Sequence, residues 1–382
     1  MKLLFVIYHM STGGVPSSLS SLYNYIQNRY DVSVFALSHE GGNTFSYSNV
    51  LLPEYALSRH FFSSWKSLKG IEKLKGLFWR ILKVIDSRAN LGLESFVCNR
   101  IVNYINNQCH YDVIISFQDR VTAKVCQYFD NSRKIAWIHC DYPRIMGEAE
   151  DELMFQKYEK IVCVSSYTAE RFKQRYKSVA GKVSFIYNIV DYNRIIENSK
   201  ADVGREIINN KTFVIVSVGR LSHLKRFYLI PKIASTLKKN GCLFMWYVIG
   251  GGEKDEEMLI KKNISKYGVE DSVSLLGNQL NPYSYMLHSD LLVSLSETEA
   301  CPMIFIEART LGVPVVSADF GSSYEFISNN KDGIIRSIES IDVEIMKMIR
   351  DKEYYNYYKK TSNTMYIDNS VVLQDFDNLI TL

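Results

Sequence analysis

The stretch SETEACPMIFIEARTLGVPVVSADFG, residues 296–321, joins a polar loop, an apolar run of helical length and a strand-like segment. A continuous apolar run, LLVSLS, ends where this stretch begins, and PVVSA follows the helical run. Apolar strands that alternate with helices are typical of a parallel sheet with both faces covered. The stretch therefore predicts a strand-helix-strand unit of an α/β fold.

The same alternation extends through the chain. Strand-like runs lie at 3–8, 31–37, 112–117, 134–139, 160–165 and 182–187, and again at 212–219, 243–250, 272–277, 291–296 and 314–318. A polar, strand-poor segment separates the two sets, and 382 residues exceed the usual size of one domain. We predict two α/β domains, residues 1–188 and 189–365. The helical tail, about 366–382, is a candidate addition to the first.

Composition excludes several functional classes. Forty-five basic and 41 acidic residues give a net charge of +4, too small and too mixed to indicate nucleic-acid binding. Seven scattered cysteines without a C-x-x-C pair favour neither a zinc site nor a disulfide framework, as expected for a reducing cytoplasm. No apolar run reaches the roughly 18 residues of a membrane-spanning helix. A soluble or surface-attached protein is expected.

Residues that directly follow strands are the functional candidates, because ligands bind beyond the carboxyl ends of parallel strands. This rule selects Gly13 and Gly14, His139, Gly219 and Arg220, Gly250 to Gly252, and the segment around Glu299. His139 stands alone after its strand, and a purely structural histidine is the alternative. The histidines form neither an i, i+4 pair nor a cluster with cysteines, so no metal site is expected.

A basic segment, SVGRLSHLKRF (217–227), follows the first strand of the second half. Arg220 and Lys225 can together neutralise a diphosphate, the arginine as a planar fork and the lysine as a mobile point charge. The alternative is a solvated basic loop.

The predicted helix in residues 303–311 begins beside a second candidate anion site. Free N–H groups and the helix dipole favour an anion at its start, which comprises Cys301, Pro302, Met303 and Ile304. Glu299 lies on the preceding loop and Glu307 on the second helical turn. A half-desolvated carboxylate suits sugar or ribose hydroxyls. Pairing of Glu307 with Arg309 or another surface cation is the alternative.

The segments VSVGRLSHLKRFYLI, YVIGGGEKDE, SLLGNQLNPYSYMLHSDLLVSLS and ETEACPMIFIEARTLGVPVVSADFGSSYEFI, in this order, resemble the retaining GT-B glycosyltransferases of group 1, often numbered family 4. FIYNIVDYNRI resembles the family's interdomain segment, and STGG and AWIHCDY its glycine loop and its W-x-H segment. The resemblance spans nearly the whole chain. It implies the GT-B fold, with two Rossmann-like domains facing a central cleft.

The resemblance also implies roles for individual residues. Arg220 and Lys225 would hold the donor diphosphate, Glu307 the ribose and Glu299 the hydroxyls of the donor sugar. His139 would approach that sugar from the other domain, so His139 and Glu299 are the candidate catalytic residues. The remaining candidates for donor binding are Gly13, Gly14, Gly219, Cys301, Pro302, Met303 and Ile304. No cofactor or catalytic metal is expected, and the D-x-D-like sequence at 375–377 is discounted because it follows no strand.

Two features depart from the family pattern. Ala300 and Cys301 stand where the family usually has glycine and phenylalanine between the acids, which is expected to alter donor preference. Val15, Pro16 and Ser17 replace the charged residues common after the N-terminal glycines. The resemblance therefore implies less about how the acceptor binds than about how the donor binds.

The implied function is transfer of a sugar from a UDP- or GDP-linked donor to a lipid-linked or oligosaccharide acceptor, in the biosynthesis of a surface polysaccharide such as capsule or O-antigen. A nucleotide-sugar epimerase or a phosphorylase on the same fold is one alternative. Phosphorylases have a lysine-bound cofactor and longer chains, and epimerases have further acids in the first domain. A non-catalytic GT-B subunit that binds glycan or a partner protein is another.

Residues 61–85, FFSSWKSLKGIEKLKGLFWRILKVI, predict an amphipathic helix. Its apolar side carries Leu68, Ile71, Leu74, Phe78, Ile81, Leu82 and Ile85, and most of its six cations lie opposite. Such a helix can bind an anionic lipid surface, which suits a lipid-linked acceptor. The alternative is a helix that packs on the core of the first domain. The expected location is cytoplasmic, with the inner face of the cell membrane as a peripheral site.

Overall fold

The computed structural model describes residues 1–10, 13–38, 50–51, 61–62, 70–89, 92–130, 132–203, 212–362 and 367–381. The chain forms two compact units. The first unit comprises Met1–Val190 and Asp368–Leu382, and the second unit comprises Asp191–Ile367. Each is an α/β structure built on its own parallel sheet.

The sheet of the first unit has seven strands in the order β3-β2-β1-β4-β5-β6-β7. The strands are β1 (Lys2–Ile7), β2 (Asp31–Ala36), β3 (Val50–Leu51), β4 (Val113–Ser116), β5 (Arg133–Ile138), β6 (Lys160–Cys163) and β7 (Val183–Phe185). Each pair is parallel, as in the register of Leu3 with Val32 and with Val113. The six strands predicted for this half are confirmed, and the two-residue strand β3 was not predicted.

Helices cover this sheet. They are α1 (Gly14–Ile26), α2 (Ile71–Ala89), α3 (Leu93–Gln108), α4 (Asp119–Cys126), α5 (Tyr142–Ile145), α6 (Asp151–Gln156) and α7 (Ser166–Arg175), with a 3₁₀ segment at Lys177–Lys182. Strand β1 is buried from Leu3 to Ile7. Burial of successive residues, which point to opposite faces, explains the continuous apolar sequence of these strands.

The second unit has a six-stranded parallel sheet in the order β10-β9-β8-β11-β12-β13. Its strands are β8 (Phe213–Val218), β9 (Phe244–Ile249), β10 (Val273–Gly277), β11 (Leu291–Ser294), β12 (Val315–Ala318) and β13 (Ile334–Arg336). The five predicted strands are confirmed, and β13 was missed because its apolar run is very short. The strands β8 and β11 lie side by side, so the loops that follow them emerge at one edge of the sheet.

The helices of the second unit are α8 (Tyr192–Ser199), α9 (Ile230–Lys239), α10 (Lys254–Tyr267), α11 (Tyr283–Leu287), α12 (Met303–Thr310), α13 (Ser323–Phe326), α14 (Ile341–Arg350) and α15 (Lys352–Thr361). Two 3₁₀ turns lie at His223–Lys225 and Phe227–Leu229. The core contains the indole of Trp246, whose N–H donates to Ser217 Oγ at 3.0 Å. This bond satisfies the one polar group of the largest buried side chain.

A last helix, α16 (Asn369–Thr381), returns to the first unit. Its Phe376 is fully buried and stacks on Phe5, with 6.4 Å between ring centroids. Tyr30 donates to Asp377 at 2.8 Å, and Arg133 donates to the Ile380 carbonyl at 2.8 Å. Phe376 and Asp377 of the sequence at 375–377 therefore belong to the packing surface of this helix, whereas Asp375 is exposed.

The amphipathic helix predicted at 61–85 is described in part. Residues 61–62 and α2 are helical, while 63–69, which include Leu68, lie outside the described residues. Lys83 donates to the Phe61 carbonyl at 2.7 Å, and Trp79 packs on the Phe61 ring. Four residues of the predicted apolar side are nevertheless exposed: Leu74, Phe78, Ile81 and Ile85. Across the described part of the chain, no helix combines the length and hydropathy needed to span a membrane.

Candidate ligand site in the second unit

The loops that follow β8 and β11 are bonded to each other at the carboxyl edge of the second sheet. The Glu297 N–H donates to the Leu224 carbonyl at 2.8 Å, and the side chains of Arg226 and Glu297 form an ion pair at 3.1 Å. Arg226 has a left-handed backbone, with φ of 53°. These bonds bring the basic segment and the acidic segment predicted from the sequence into one site.

An ion pair between Lys225 and Glu299 lies at the centre of this site. Their side chains are 21% and 15% exposed, so the pair is shielded but still reachable from solvent. Glu299 is further held by two serines. Ser296 Oγ donates to its carboxylate at 2.8 Å, and Ser322 Oγ donates to its backbone carbonyl at 2.6 Å. Glu299 is thus held in position by side chains of the protein itself.

Glycines allow the backbone after β8 to approach the backbone after β9. The Leu221 N–H donates to the Gly251 carbonyl at 2.9 Å, and the Gly219 N–H donates to the Ile249 carbonyl at 2.9 Å. A Cβ atom on Gly250 would overlap the Gly219 carbonyl, and Gly250 also has a φ of 148°. This contact explains why the sequence has glycine at position 250. It also fixes the point at which the loop that carries Lys225 leaves β8.

Arg220 and His223 lie on the same loop but in different surroundings. Arg220 is exposed, and its side chain has neither a hydrogen bond nor an ion pair within the residues described. His223 stacks on Tyr228 at 4.9 Å between ring centroids and contacts Glu256 Oε1 at 3.1 Å. Arg220 therefore keeps its guanidinium available for an anion, whereas His223 is engaged locally.

The start of α12 retains a free amide. Pro302 directly precedes the helix, which begins at Met303. The Met303 N–H is bonded to the Cys301 carbonyl and the Phe305 N–H to the Pro302 carbonyl, each at 2.9 Å. Within the described ranges, the Ile304 amide has no acceptor. A donor at a helix start, close in sequence to Glu299, is suited to a phosphate or hydroxyl oxygen.

Glu307 lies on the second turn of α12 with its carboxyl group enclosed. Desolvation raises the pKa of Glu307 to about 7, while the Tyr283 hydroxyl and the charge of Arg194 oppose this rise. Tyr283 donates to Glu307 Oε1 at 3.2 Å. Pairing with Arg309, the alternative considered for this acid, does not occur. Arg309 is buried and forms an ion pair with Asp332 at 2.9 Å.

The candidate residues of the first unit lie at the starts of its helices and the ends of its strands. Gly13 precedes α1 and Gly14 is its first residue, and a Cβ on Gly14 would meet no atom within 4 Å. His139 follows β5 and packs its ring on Phe117, with 4.5 Å between centroids. Its Nε2 is buried without a partner in the described part of the chain, and burial lowers the pKa of His139 to about 3. The ring is therefore neutral.

Three site residues were not predicted from the sequence. Asp119 has a φ of 40°, and its carboxylate accepts the His139 backbone N–H at 3.0 Å. Tyr283 and Arg194 contact the Glu307 environment from α11 and α8. Tyr283 and Arg194 lie within segments that carry the family resemblance, but neither directly follows a strand, and the resemblance gives no indication that they contact Glu307. Asp119 lies two residues after the predicted strand 112–117, and its hydrogen bond to His139 has no signal in the sequence. Among the described residues, no group of three or more His, Cys, Asp or Glu side chains is arranged to hold a metal ion.

Comparison with known proteins finds similarity to glycosyltransferases. Residues 198–365 match the family model for glycosyl transferases group 1. The chain is 24% identical over 379 residues, 95% of its length and 94% of the relative's, to a Campylobacter jejuni enzyme named N-acetylgalactosamine-N,N'-diacetylbacillosaminyl-diphospho-undecaprenol 4-alpha-N-acetylgalactosaminyltransferase.

Other relatives match over a shorter span. The Escherichia coli O-antigen biosynthesis glycosyltransferase WbnH is 30% identical over 149 residues, which are 38% of this chain and 41% of that protein. An uncharacterized glycosyltransferase of Methanocaldococcus jannaschii is 28% identical over 43% of this chain. The match spans 41% of that protein too. These relatives are all named as glycosyltransferases. The name of the Campylobacter jejuni enzyme includes diphospho-undecaprenol, and WbnH is named for O-antigen biosynthesis.

Solved structures show the same fold. HepE from Anabaena, in complex with UDP and glucose, superposes with a TM-score of 0.75 at 16% identity, over 100% of this chain and 99% of that chain. WaaG, a glycosyltransferase involved in lipopolysaccharide biosynthesis, superposes with a TM-score of 0.68 at 14% identity, over 99% of both chains. The α/β GT-B fold predicted from the sequence is confirmed.

Proposed function

We propose that this protein is a retaining glycosyltransferase of family 4 that transfers a sugar from a UDP- or GDP-linked donor to a lipid-linked or oligosaccharide acceptor in surface polysaccharide biosynthesis. The observation that carries the proposal is the Lys225 and Glu299 ion pair beside the start of α12. It places a cation for phosphate and a carboxylate for hydroxyls within one hydrogen bond of each other, which suits a ligand that carries both groups.

The donor diphosphate is assigned to Arg220, Lys225 and the Ile304 amide. Arg220 is exposed and without a partner in the described ranges, and Lys225 can exchange Glu299 for phosphate. Charge builds on the departing diphosphate as the glycosidic bond breaks, so preorganised donors lower the barrier. Because these groups supply positive charge, we assign no catalytic metal and no other cofactor to the reaction.

The sugar and ribose are assigned to the carboxylates. Glu299 is fixed by Ser296 and Ser322, which suits a residue that orients the donor sugar. Glu307 is assigned to the ribose hydroxyls. His139 of the first unit is assigned to the sugar as a neutral hydrogen-bonding group, consistent with its buried and unpartnered Nε2 within the described residues. Gly13 and Gly14 are assigned to donor binding because a ligand can approach Gly14 without steric hindrance.

Retention of anomeric configuration is proposed through an oxocarbenium-like state, with the acceptor hydroxyl attacking on the face that the diphosphate leaves. The acceptor oxygen forms a bond to the anomeric carbon, the diphosphate departs with the bonding electron pair, and the acceptor proton passes to the departing phosphate oxygen. No protein nucleophile is required in this scheme. The contribution of the protein is charge stabilisation and alignment.

An anionic membrane surface is the proposed location of the lipid-linked acceptor, reached through α2. Leu74 and Phe78 are 67% and 57% exposed, and Ile81 and Ile85 extend the same apolar strip. Lys73, Lys75 and Arg80 on this helix are also exposed. Exposed apolar residues combined with cations on one helix are typical of interfacial binding. The protein is accordingly proposed to act at the cytoplasmic face of the cell membrane.

The experiment that tests the proposed function is a donor screen. The purified protein is incubated with a panel of UDP- and GDP-sugars, and hydrolysis or transfer is read by mass spectrometry. Release of UDP or GDP from at least one donor, lost in Lys225→Ala, is expected. Isomerised donor without release would identify an epimerase, and no turnover with any donor or acceptor would favour a non-catalytic subunit.

A further inference from the structure

Glu307 is reached by a chain of hydrogen bonds that starts on another helix. Arg194, on α8, hydrogen-bonds the Tyr283 hydroxyl, and that hydroxyl donates to Glu307 Oε1 at 3.2 Å. The three residues belong to α8, α11 and α12, which pack together in the second unit. A tyrosine hydroxyl that accepts from an arginine is polarised and becomes a better donor to a carboxylate.

The backbones of Tyr283 and Arg194 are each anchored by a local hydrogen bond, and the side chain of Tyr283 is buried. Tyr283 is only 8% exposed, and its backbone N–H donates to Asn281 Oδ1 at 3.1 Å. The Arg194 backbone N–H donates to Asp191 Oδ1 at 3.0 Å, which caps α8. The second carboxylate oxygen of Glu307 has no hydrogen bond to any described residue. It is therefore left for a ligand.

We propose that Tyr283 and Arg194 are positioning residues that hold the Glu307 carboxylate in the orientation that accepts hydrogen bonds from the adjacent hydroxyls of a nucleotide ribose. This inference rests on the proposed function, because it requires a nucleotide to bind at this site. It extends that function by assigning roles to two residues that were not among the candidate site residues. Neither residue touches the reacting atoms.

The charged and titratable groups around Glu307 decide how binding depends on pH. From α8, Arg194 faces the carboxylate and from α11 Tyr283 does, while Glu197 on α8 is exposed. Tyr285 of α11 is directed to Gln279 instead, at 3.4 Å. The packed strand β12 contributes only valine, serine and alanine. Arg309 on α12 itself is paired with Asp332.

The sign of the pH dependence follows from these groups. Only the ionised carboxylate accepts from both ribose hydroxyls, so protonation of Glu307 weakens binding as the pH falls through about 7. Tyr283 and Arg194 both lower the pKa of Glu307. Removing either one raises that pKa and moves the loss of affinity to higher pH.

The test compares UDP with 2′-deoxy-UDP by isothermal titration between pH 5.5 and 8.5, with GDP and 2′-deoxy-GDP in parallel. Each pair shares the titration of its terminal phosphate, so the affinity ratio isolates the ribose hydroxyl. The variants are Tyr283→Phe and Arg194→Gln, and Tyr285→Phe on the same helix is the control. At pH 7 the two variants are expected to reduce the ratio by about 2-fold to 12-fold, the net effect of one hydrogen bond.

The outcomes separate this inference from the proposed function. If the wild type binds neither UDP nor GDP at any pH, the proposed function fails. If it binds both a nucleotide and its deoxy form with a pH-independent ratio, the ribose role of Glu307 fails. The ratio of nucleotide affinity to deoxynucleotide affinity is compared across the pH range. If this ratio has the same pH dependence in Tyr283→Phe and Arg194→Gln as in the wild type and Tyr285→Phe, the positioning roles are wrong. Circular dichroism checks that each variant is folded.

Discussion

Lys225 and Glu299 form an ion pair that joins the loop after β8 to the loop after β11. Each side chain is therefore the ion-pair partner of the other in this structure. A phosphate that binds Lys225 must share or replace the Glu299 carboxylate, and the carboxylate then becomes available for hydroxyl groups. The two proposed ligand contacts are thus coupled through one bond, which makes their variants distinguishable.

Replacement of Lys225 by alanine is expected to weaken binding of UDP or GDP about 10-fold to 100-fold, as for loss of a hydrogen bond to a charged group. Isothermal titration in buffer without magnesium measures the change. Lys232→Ala, which removes an exposed lysine from α9 of the same unit, is the charge-matched control. Equal affinities of Lys225→Ala and the wild type would remove the diphosphate assignment.

Replacement of Glu299 by glutamine is expected to separate binding from turnover. The change breaks the ion pair and leaves Lys225 free for phosphate, so the affinity for UDP or GDP should stay the same or rise. Turnover of the sugar donor should fall at least about 10-fold, because the variant loses the charged carboxylate that accepts hydrogen bonds from the sugar hydroxyls. Donor hydrolysis and nucleotide titration measure the two effects. A parallel loss of both would contradict a role limited to the sugar.

Replacement of Gly250 by alanine is expected to destabilise the second unit strongly, since the added Cβ would overlap the Gly219 carbonyl. Gly241→Ala is the matched control, because Gly241 has a φ of 74° but no atom within 4 Å of the added Cβ. We expect a cost of about 1 kcal/mol at Gly241 and at least about 3 kcal/mol at Gly250. Urea denaturation measures both, and equal costs would show that backbone conformation alone requires Gly250.

Lipid binding through α2 is expected to need both its apolar and its basic residues. The double variant Phe78→Ser, Ile81→Ser should lose binding to phosphatidylserine vesicles, and Lys73→Gln and Lys75→Gln should each weaken it about fivefold. Co-sedimentation with neutral and anionic vesicles measures this, with Leu243→Ser, an exposed leucine of the second unit, as control. Indifference to all of these changes would favour a purely structural helix.

Most of the fold could be predicted because buried parallel strands have a distinctive sequence. Strand β1 and strand β8 are apolar at nearly every position, since both of their faces are covered. Strands β3 and β13 escaped prediction because two or three residues cannot display a period. The apolar side of α2 did follow from periodicity, but periodicity does not reveal whether such a side is covered. Four of its residues are exposed.

The proximity of two candidate residues was predictable because both follow strands. Lys225 and Glu299 follow neighbouring strands, and the structure brings them into contact. Tyr283 and Arg194 were not predictable, because their contact with Glu307 depends on how three helices pack. Asp119 was missed for a similar reason. Its hydrogen bond to His139 joins the ends of two strands that are 20 residues apart in sequence.

Helix α16 lies after the whole second unit in the chain, yet its Phe376 packs beside Phe5 near the N-terminus. During synthesis the ribosome must complete the second unit before this helix can pack on the first unit. Until then, part of the apolar surface of the first sheet stays exposed to solvent. Nascent chains that stop near residue 365 should consequently retain a folded second unit and an aggregation-prone first one.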